Sequence, residues 1–330
     1  MREFEYQRAS DVAGAVALLG ADPDTRFLGG GTNLVDLMKA GVERPARLVD
    51  IRELPLDRVE STPEGGLRIG ATVTNGDLAA HPEVRRRYPA LAQALLAGAS
   101  GQLRNMATVG GNLLQRTRCG YFTDVTRPCN KRVPGSGCPA VEGEHHNHAV
   151  LGASAHCVAV HPSDMAVPLA AFDAVVRYET ADGPGELPLA DFYLPVGDTP
   201  HRETALPPGA LITGVTLPPA PVAARSRYRK VRERASYAFA IGSVAAALDV
   251  RDGVVQDARL AFGAVASRPW RAVAAERALI GAPAGPETYA AAADAELAAA
   301  RPLPHNGYKV DLVRNLVVAV LSELAEEAAR

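Results

Sequence analysis

Apolar residues follow a helical or strand period along most of the chain and lose it over Thr117–Ala149. N-terminal to that stretch, Ser10 is placed to N-cap a helix over Asp11–Leu19, which Gly20 stops. A short strand, Arg26–Leu28, runs into a run of glycines, and the pattern then predicts a helix over Leu34–Lys39 and a strand over Arg47–Asp50. Leu67–Gly70 reads as a strand, and Leu78–Ala97 as mostly helical with a break at Pro82. Regular structure resumes at Val150, with a helix at Met165–Phe172 and strands at Ala174–Tyr178 and Leu211–Leu217. Pro218-Pro219-Ala220-Pro221 has the composition of a linker between domains. Beyond it, strands near Arg227–Val231, Phe239–Val250 and Val254–Phe262 precede helices near Arg271–Ile280, Glu287–Ala300 and Val310–Ala329. That β-β-β-α-α-α order predicts a separate compact α+β unit.

Two glycine-rich loops carry candidate chemistry. Phe27-Leu-Gly-Gly-Gly-Thr-Asn-Leu34 sets three glycines between a strand and a helix, where the backbone can approach a ligand and turn its N–H groups toward an anion. Thr32 and Asn33 add side-chain donors. The spacing is neither the G-x-G-x-x-G of a Rossmann site nor a Walker loop, and by itself it is also compatible with a tight turn. A second loop, Leu103-Arg-Asn-Met-Ala-Thr-Val-Gly-Gly-Asn-Leu113, again presents Thr, Gly-Gly and Asn between apolar residues. The pair predicts a dinucleotide whose diphosphate is held from both sides.

The unpatterned stretch is dense in Gly, Pro, Arg and His, and an irregular loop of that length inside a compact domain points to a function. It carries three of the four cysteines, Cys119, Cys129 and Cys138, and the fourth, Cys157, follows closely; nine, eight and eighteen residues separate them in turn. Structural zinc sites pair cysteines two to four residues apart, and that pairing is absent. Single thiols spread along one loop suit a bulkier centre with a thiolate at each corner, and four is the ligand count of a [4Fe–4S] or [2Fe–2S] cluster. Spacing alone leaves open a metal centre of some other kind, disulfides or inert thiols. Arg116, Arg118, Arg127, Lys131 and Arg132 lie in the same segment and could stabilise thiolates. Five of the eight histidines, His145, His146, His148, His156 and His161, lie in or near it, and loop hydrogen bonding is the expected role.

Composition narrows the rest. The chain has 330 residues, 47% hydrophobic and 22% charged, with a net charge of −2, so it fits about two globular domains and offers no broad field for nucleic acid or anionic lipid. The basic run Arg225, Arg227, Arg229, Lys230, Arg232 and Arg234 largely alternates with other residues, as the solvent face of a strand does. No apolar run approaches the roughly eighteen residues of a membrane span. The N-terminus shows no apolar signal segment, so the expected compartment is the cytoplasm, or the periplasm if a partner subunit carries the export signal. No Ser-His-Asp set or pair of catalytic carboxylates can be assembled, and no catalytic residue is assigned.

The two glycine loops together with His161-Pro-Ser-Asp164 resemble the FAD-binding subunits of the xanthine dehydrogenase (molybdenum hydroxylase) family, over essentially the whole chain. The cysteine-bearing segment, from Arg118-Cys-Gly-Tyr-Phe through Pro128-Cys-Asn-Lys and Gly137-Cys-Pro-Ala to Asn147-His-Ala-Val-Leu-Gly, resembles an insertion in two branches of that family. These are the periplasmic-type aldehyde oxidoreductase FAD subunit and the β subunit of 4-hydroxybenzoyl-CoA reductase; the short Cys-Asn-Lys version is closer to the first. The resemblance implies an α+β fold in two parts. Residues 1–221 form a PCMH-type FAD-binding domain of two α/β subdomains with an iron–sulfur loop at 115–157, and residues 222–330 form a domain like the C-terminal domain of CO dehydrogenase flavoproteins. It implies FAD contacts from Arg26, Phe27, Leu28 and Leu34, with Gly29, Gly30, Gly31, Thr32, Asn33, Thr108, Gly111 and Asn112 at the diphosphate. Asp164 lies near the adenosine or flavin portion, and Ile212 and Lys230 near the isoalloxazine. By the same resemblance Cys119, Cys129, Cys138 and Cys157 would ligate a [4Fe–4S] cluster. His145-His146 departs from the polar or basic residues usual in relatives, which bears on cluster tuning. The implied function is an electron-transfer subunit taking electrons from partner [2Fe–2S] centres to FAD and an external acceptor. Its partners are a molybdenum-cofactor-binding large subunit and a [2Fe–2S] small subunit, as a heterotrimer or a dimer of one. The alternatives are a 4-hydroxybenzoyl-CoA reductase-type β subunit, a self-contained PCMH-fold flavin reductase, or a zinc-stabilised interaction module.

Overall fold

In the computed structural model, which describes residues 1–20 and 22–328, three sheets are arranged along the chain. The first is parallel, with β1 (Glu5–Arg8), β2 (Thr25–Leu28) and β3 (Arg47–Asp50) in the order β1-β3-β2. Helices α1 (Val12–Leu19) and α2 (Leu34–Lys39) make the connections such strands require, and the central strand β3 buries Leu48, Val49 and Asp50. Helix α1 is capped by Asp11, whose carboxylate accepts from the Gly14 N–H at 2.7 Å; Ser10, the expected cap, instead donates to Asp11. Gly20, at φ +54, stops the helix as expected.

The second sheet follows the order β4-β5-β8-β6-β7 with antiparallel pairing, from β4 (Val59–Ser61), β5 (Leu67–Gly70), β6 (Val175–Thr180), β7 (Gly183–Pro188) and β8 (Leu211–Leu217). Between β5 and β6 lie α3 (Asn75–Ala80), α4 (Pro82–Arg87), α5 (Pro89–Ala97), α6 (Gly101–Arg104), α7 (Val109–Leu113), α8 (Gly120–Thr123) and α9 (Ala166–Ala171), and α10 (Leu189–Phe192) lies between β7 and β8. The single broken helix expected over Leu78–Ala97 is three helices, because Pro82 and Pro89 each open a new one at its first position.

The third sheet, β9 (Ser226–Val231), β10 (Gly242–Arg251), β11 (Val254–Gly263) and the short β12 (Trp270–Arg271), runs β12-β11-β10-β9 and is antiparallel. It packs on α11 (Val273–Leu279), α12 (Pro286–Leu297) and α13 (Tyr308–Ala328). The residues Val244–Leu248 of β10 are all buried because both faces of this sheet are covered. Val244, Ala246 and Leu248 join the core with α11–α13, while Ala245 and Ala247 join the core built on α5, α9, β5 and β8. The C-terminal sheet is therefore packed into the N-terminal core, and this places β9 beside the ligand cleft. Among the described residues no helix is long and apolar enough to cross a membrane.

The basic run on β9 divides between a partly solvated face, carrying Arg227 and Arg229, and a buried one. Arg227 and Arg229 pair with Glu323 at 3.2 and 2.7 Å, tying β9 to α13. Lys230 points the other way, and its side chain is 3% exposed. The alternation seen in the sequence is real, but it sends Lys230 inward while the arginines stay partly exposed in ion pairs.

Candidate functional site

The first glycine run forms the turn from β2 into α2. Gly31 sits at φ +74, where an L side chain is strained. Gly30 abuts the second loop, so that an added Cβ would lie 1.7 Å from the Met106 carbonyl oxygen; one on Gly29 would lie 2.9 Å from Thr108 Oγ1. Thr108 in turn caps α7, its Oγ1 accepting from the Gly111 N–H at 3.3 Å. The two loops thus lie backbone against backbone and form one wall of a cleft of about 830 Å³. Arg26, Phe27, Gly29, Gly30, Gly31, Thr32, Asn33, Leu34, Thr108, Gly111, Asn112, Asp164, Ile212 and Lys230 all line it. Leu28 alone of the expected set does not; its carbonyl accepts from the Ile51 N–H. Asn33 Oδ1 accepts from the Arg116 N–H at 2.9 Å, whereas its Nδ2 is buried with no partner among the described residues. A buried donor in such a position suits an anionic ligand.

At another part of the cleft, Lys230 Nζ lies 2.7 Å from Asp164, and the Tyr228 hydroxyl donates to the same carboxylate. Burial pushes the Asp164 carboxyl up, and the Lys230 charge and the two hydrogen bonds pull it back. Lys230 also donates to the Ala97 carbonyl. The cation on the cleft wall is therefore matched by a carboxylate, a pairing between positions 66 residues apart that the sequence does not show. Sequence reasoning also missed Asn75, Arg104, Gln115, Arg118, Tyr237 and Phe239 as lining residues. Arg118 stacks over the Phe239 ring at 4.8 Å, and Tyr237 is held at φ +53. Arg104 stands in the second glycine loop, and Gln115, Arg118, Tyr237 and Phe239 stand near the cysteine loop or Lys230 in sequence; nothing local marked Asn75.

The unpatterned stretch folds as turns around α8 and one 3-10 turn, Pro139–Val141. It brings Cys119, Cys129, Cys138 and Cys157 to one narrow pocket, together with Phe122, Lys131 and Ala159. Among the described residues no three His, Cys, Asp or Glu side chains are spaced to hold a single metal ion. Nearby peptide N–H groups favour the thiolate form at three of the four: those of Tyr121 and Phe122 at Cys119, of Val158 and Ala140 at Cys138, and of Ala159 at Cys157. Burial pushes the Cys119 thiol up. A hydrogen bond from Cys157 holds Cys138 down, at about 7, and the same bond pushes Cys157 up. Thiolate support thus comes largely from backbone dipoles rather than from the arginines. Arg116 is spent on Glu203 and Glu43 at 2.7 and 2.6 Å, and Arg132 on the carbonyls of Tyr121, Phe122 and Arg127. Lys131 pairs with Glu203 at 2.7 Å and also acts on Cys157. The donor set, four thiols in irregular backbone with peptide N–H groups near three of them, suits a multi-iron cluster with a thiolate at each corner.

Of the loop histidines, His145 is structural. Its Nδ1 meets the Ala140 carbonyl at 3.1 Å and its Nε2 accepts from the His305 N–H at 3.2 Å, so both ring nitrogens are used. The His145-His146 departure therefore bears on loop anchoring, with exposed His146 facing Glu233 at 3.3 Å. His148 Nε2 lies 3.2 Å from Cys119 Sγ.

Comparison with known proteins agrees with this arrangement. A family profile described as the FAD binding domain in molybdopterin dehydrogenase matches residues 2–220, and one described as the CO dehydrogenase flavoprotein C-terminal domain matches residues 226–324. The aldehyde oxidoreductase FAD-binding subunit PaoB of Escherichia coli (strain K12) is 51% identical over 329 residues, covering 99% of this chain and 100% of that protein. Among solved structures, carbon monoxide dehydrogenase from Hydrogenophaga pseudoflava has a chain 27% identical with a TM-score of 0.75, covering 97% and 96% of the two chains. Quinoline 2-oxidoreductase from Pseudomonas putida 86 shares the fold at 23% identity with a TM-score of 0.77, covering 100% and 99%.

Proposed function

Since the chain belongs to the family of FAD-binding subunits of molybdopterin dehydrogenases, we propose that it is the FAD- and [4Fe–4S]-binding electron-transfer subunit of an aldehyde oxidoreductase. The observation that carries the cluster is the convergence of all four cysteines, distant in sequence, on one pocket supplied with N–H donors. The aldehyde branch is supported by the 51% identity to the E. coli aldehyde oxidoreductase subunit. In this reading the partners are a large subunit with a molybdenum cofactor, which oxidises the substrate, and a small subunit with [2Fe–2S] centres.

When bound, FAD supplies one- and two-electron redox chemistry at its ring system and the cluster supplies one-electron chemistry at its irons. The residues of this chain bind and tune. The backbone of Gly29–Gly31, the Asn33 amide and the Thr108–Asn112 turn offer donors for the diphosphate. The Lys230–Asp164 pair and Ile212 hold the wall at the flavin end. Cys119, Cys129, Cys138 and Cys157 supply the thiolates, with peptide N–H groups stabilising their charge. Asn112–Arg116 on the cleft wall continue directly into Thr117–Cys119 on the cysteine pocket, so one short segment spans both sites.

The test is the visible spectrum and metal content of the purified protein, with co-purification of partners and molybdenum analysis. Flavin bands with a broad, dithionite-bleachable shoulder and about four irons are expected. Cys129→Ser or Cys138→Ser should lose iron while keeping most FAD. A colourless protein with stoichiometric zinc, or full iron retention in every single cysteine variant, would refute the reading.

A further inference from the structure

Resting on the cluster reading above, we infer that His148 is a positioning residue that raises the reduction potential of the cluster through a hydrogen bond from its Nε2–H to Cys119 Sγ. The two atoms are 3.2 Å apart. A ligating thiolate has no proton to give, so the imidazole must be the donor in this contact. The opposite ring nitrogen, Nδ1, is buried with no partner among the described residues, and His148 lines a second cavity, of about 410 Å³, between the cysteine pocket and the FAD cleft. A ligating thiolate at Cys119 therefore selects the tautomer with Nε2–H.

The ring is also held in place. Lys309, with no exposed surface, donates to the carbonyls of Asn147, His148 and Ala264 at 3.0, 3.0 and 2.6 Å. Asn306, equally buried, donates to the carbonyls of His148 and Ala149. The start of α13 and the turn before it thus clamp the backbone on which His148 stands. Hydrogen bonds to the sulfurs are among the factors that set Fe–S potentials, because withdrawing density from a thiolate favours the reduced, more negative cluster. His148 is the side-chain donor at this corner, beside the peptide groups of Tyr121 and Phe122.

The experiment is a redox titration of the chain in its complex, followed by EPR of the reduced cluster, with His148→Leu and His148→Gln. The Leu variant removes the donor and keeps bulk; the Gln variant keeps an N–H of similar reach. The expected result is unchanged iron content in both, a lower cluster midpoint potential in His148→Leu, and recovery toward the parent value in His148→Gln. An unchanged midpoint in iron-replete His148→Leu overturns the inference and leaves the cluster reading intact. Loss of iron from both variants makes His148 a structural support and also overturns it. A parent protein without iron fails the cluster reading itself, and the inference falls with it.

Discussion

Substituting Gly30 by alanine tests the central feature of the FAD cleft, the direct backbone contact between its two glycine loops. The new Cβ would meet the Met106 carbonyl oxygen at 1.7 Å, its carbon at 2.5 Å and the Ala107 nitrogen at 3.1 Å. All three atoms are backbone, so no side-chain rotation can relieve the overlap, and ordinary contact begins near 3.4 Å. The loops must therefore part by about 1.7 Å at this point. Overpacking of this kind costs about 1–3 kcal/mol. If the apoprotein relieves the strain by separating the loops, a ligand held by both must draw them together again, and the cost falls on binding. At 1.4 kcal/mol per factor of ten, the FAD dissociation constant should rise about 5- to 150-fold. The assay is titration of deflavinated protein by flavin fluorescence quenching, with thermal melts in parallel. Gly285→Ala is the control, since that glycine has an extended φ of 176 and open space around it. Gly30→Ala binding FAD within twofold of the parent would refute the claim that the two loops grip one ligand.

Two other outcomes follow from buried charge. Lys230→Met leaves Asp164 unpaired in a site where the two side chains are 3% and 10% exposed, and should lower stability by about 3–5 kcal/mol in urea unfolding. Adding Asp164→Asn should recover much of the loss, and a Lys230→Met chain as stable as the parent would contradict the pairing. Asp50 is buried against Arg52 and Tyr6; burial alone would raise its carboxyl, but their hydrogen bonds outweigh it and hold the group at about 2. That lies below the roughly 3.9 of an unfolded aspartate, so its contribution is complete above about pH 5 and drains away as the pH falls toward 2. Melting curves across that window should show a shallower acid decline in Asp50→Asn, and an identical decline would exclude Asp50 as a source.

Much of the site is legible in residue types and their spacing. The glycine loops announce themselves by composition, because only glycine permits both the φ of Gly31 and the contact at Gly30. The cysteine loop stands out because its apolar period fails, and its turns around α8 follow from that irregularity. Less legible are features that depend on which chain segments meet. The cap of α1 shifted by one residue because Asp11 and Ser10 are both able acceptors, and local geometry chose the carboxylate.

The sequence by itself determined the two loops, the four thiols, the order of elements and the family to which they belong, since each is written in local residue types and spacing. Only the tertiary structure decided that Lys230 is buried on Asp164, that Arg116 serves Glu43 and Glu203 rather than the cysteines, and that His148 rather than His145 meets Cys119. The strand alternation of β9 gives Lys230 a side but not an occupant for that side. Its partner lies 66 residues away, and β9 reaches it only because the alanine-rich face of β10 packs into the N-terminal core. A polar group's role is fixed by the partner it meets in low dielectric, and that meeting is a property of the packed chain.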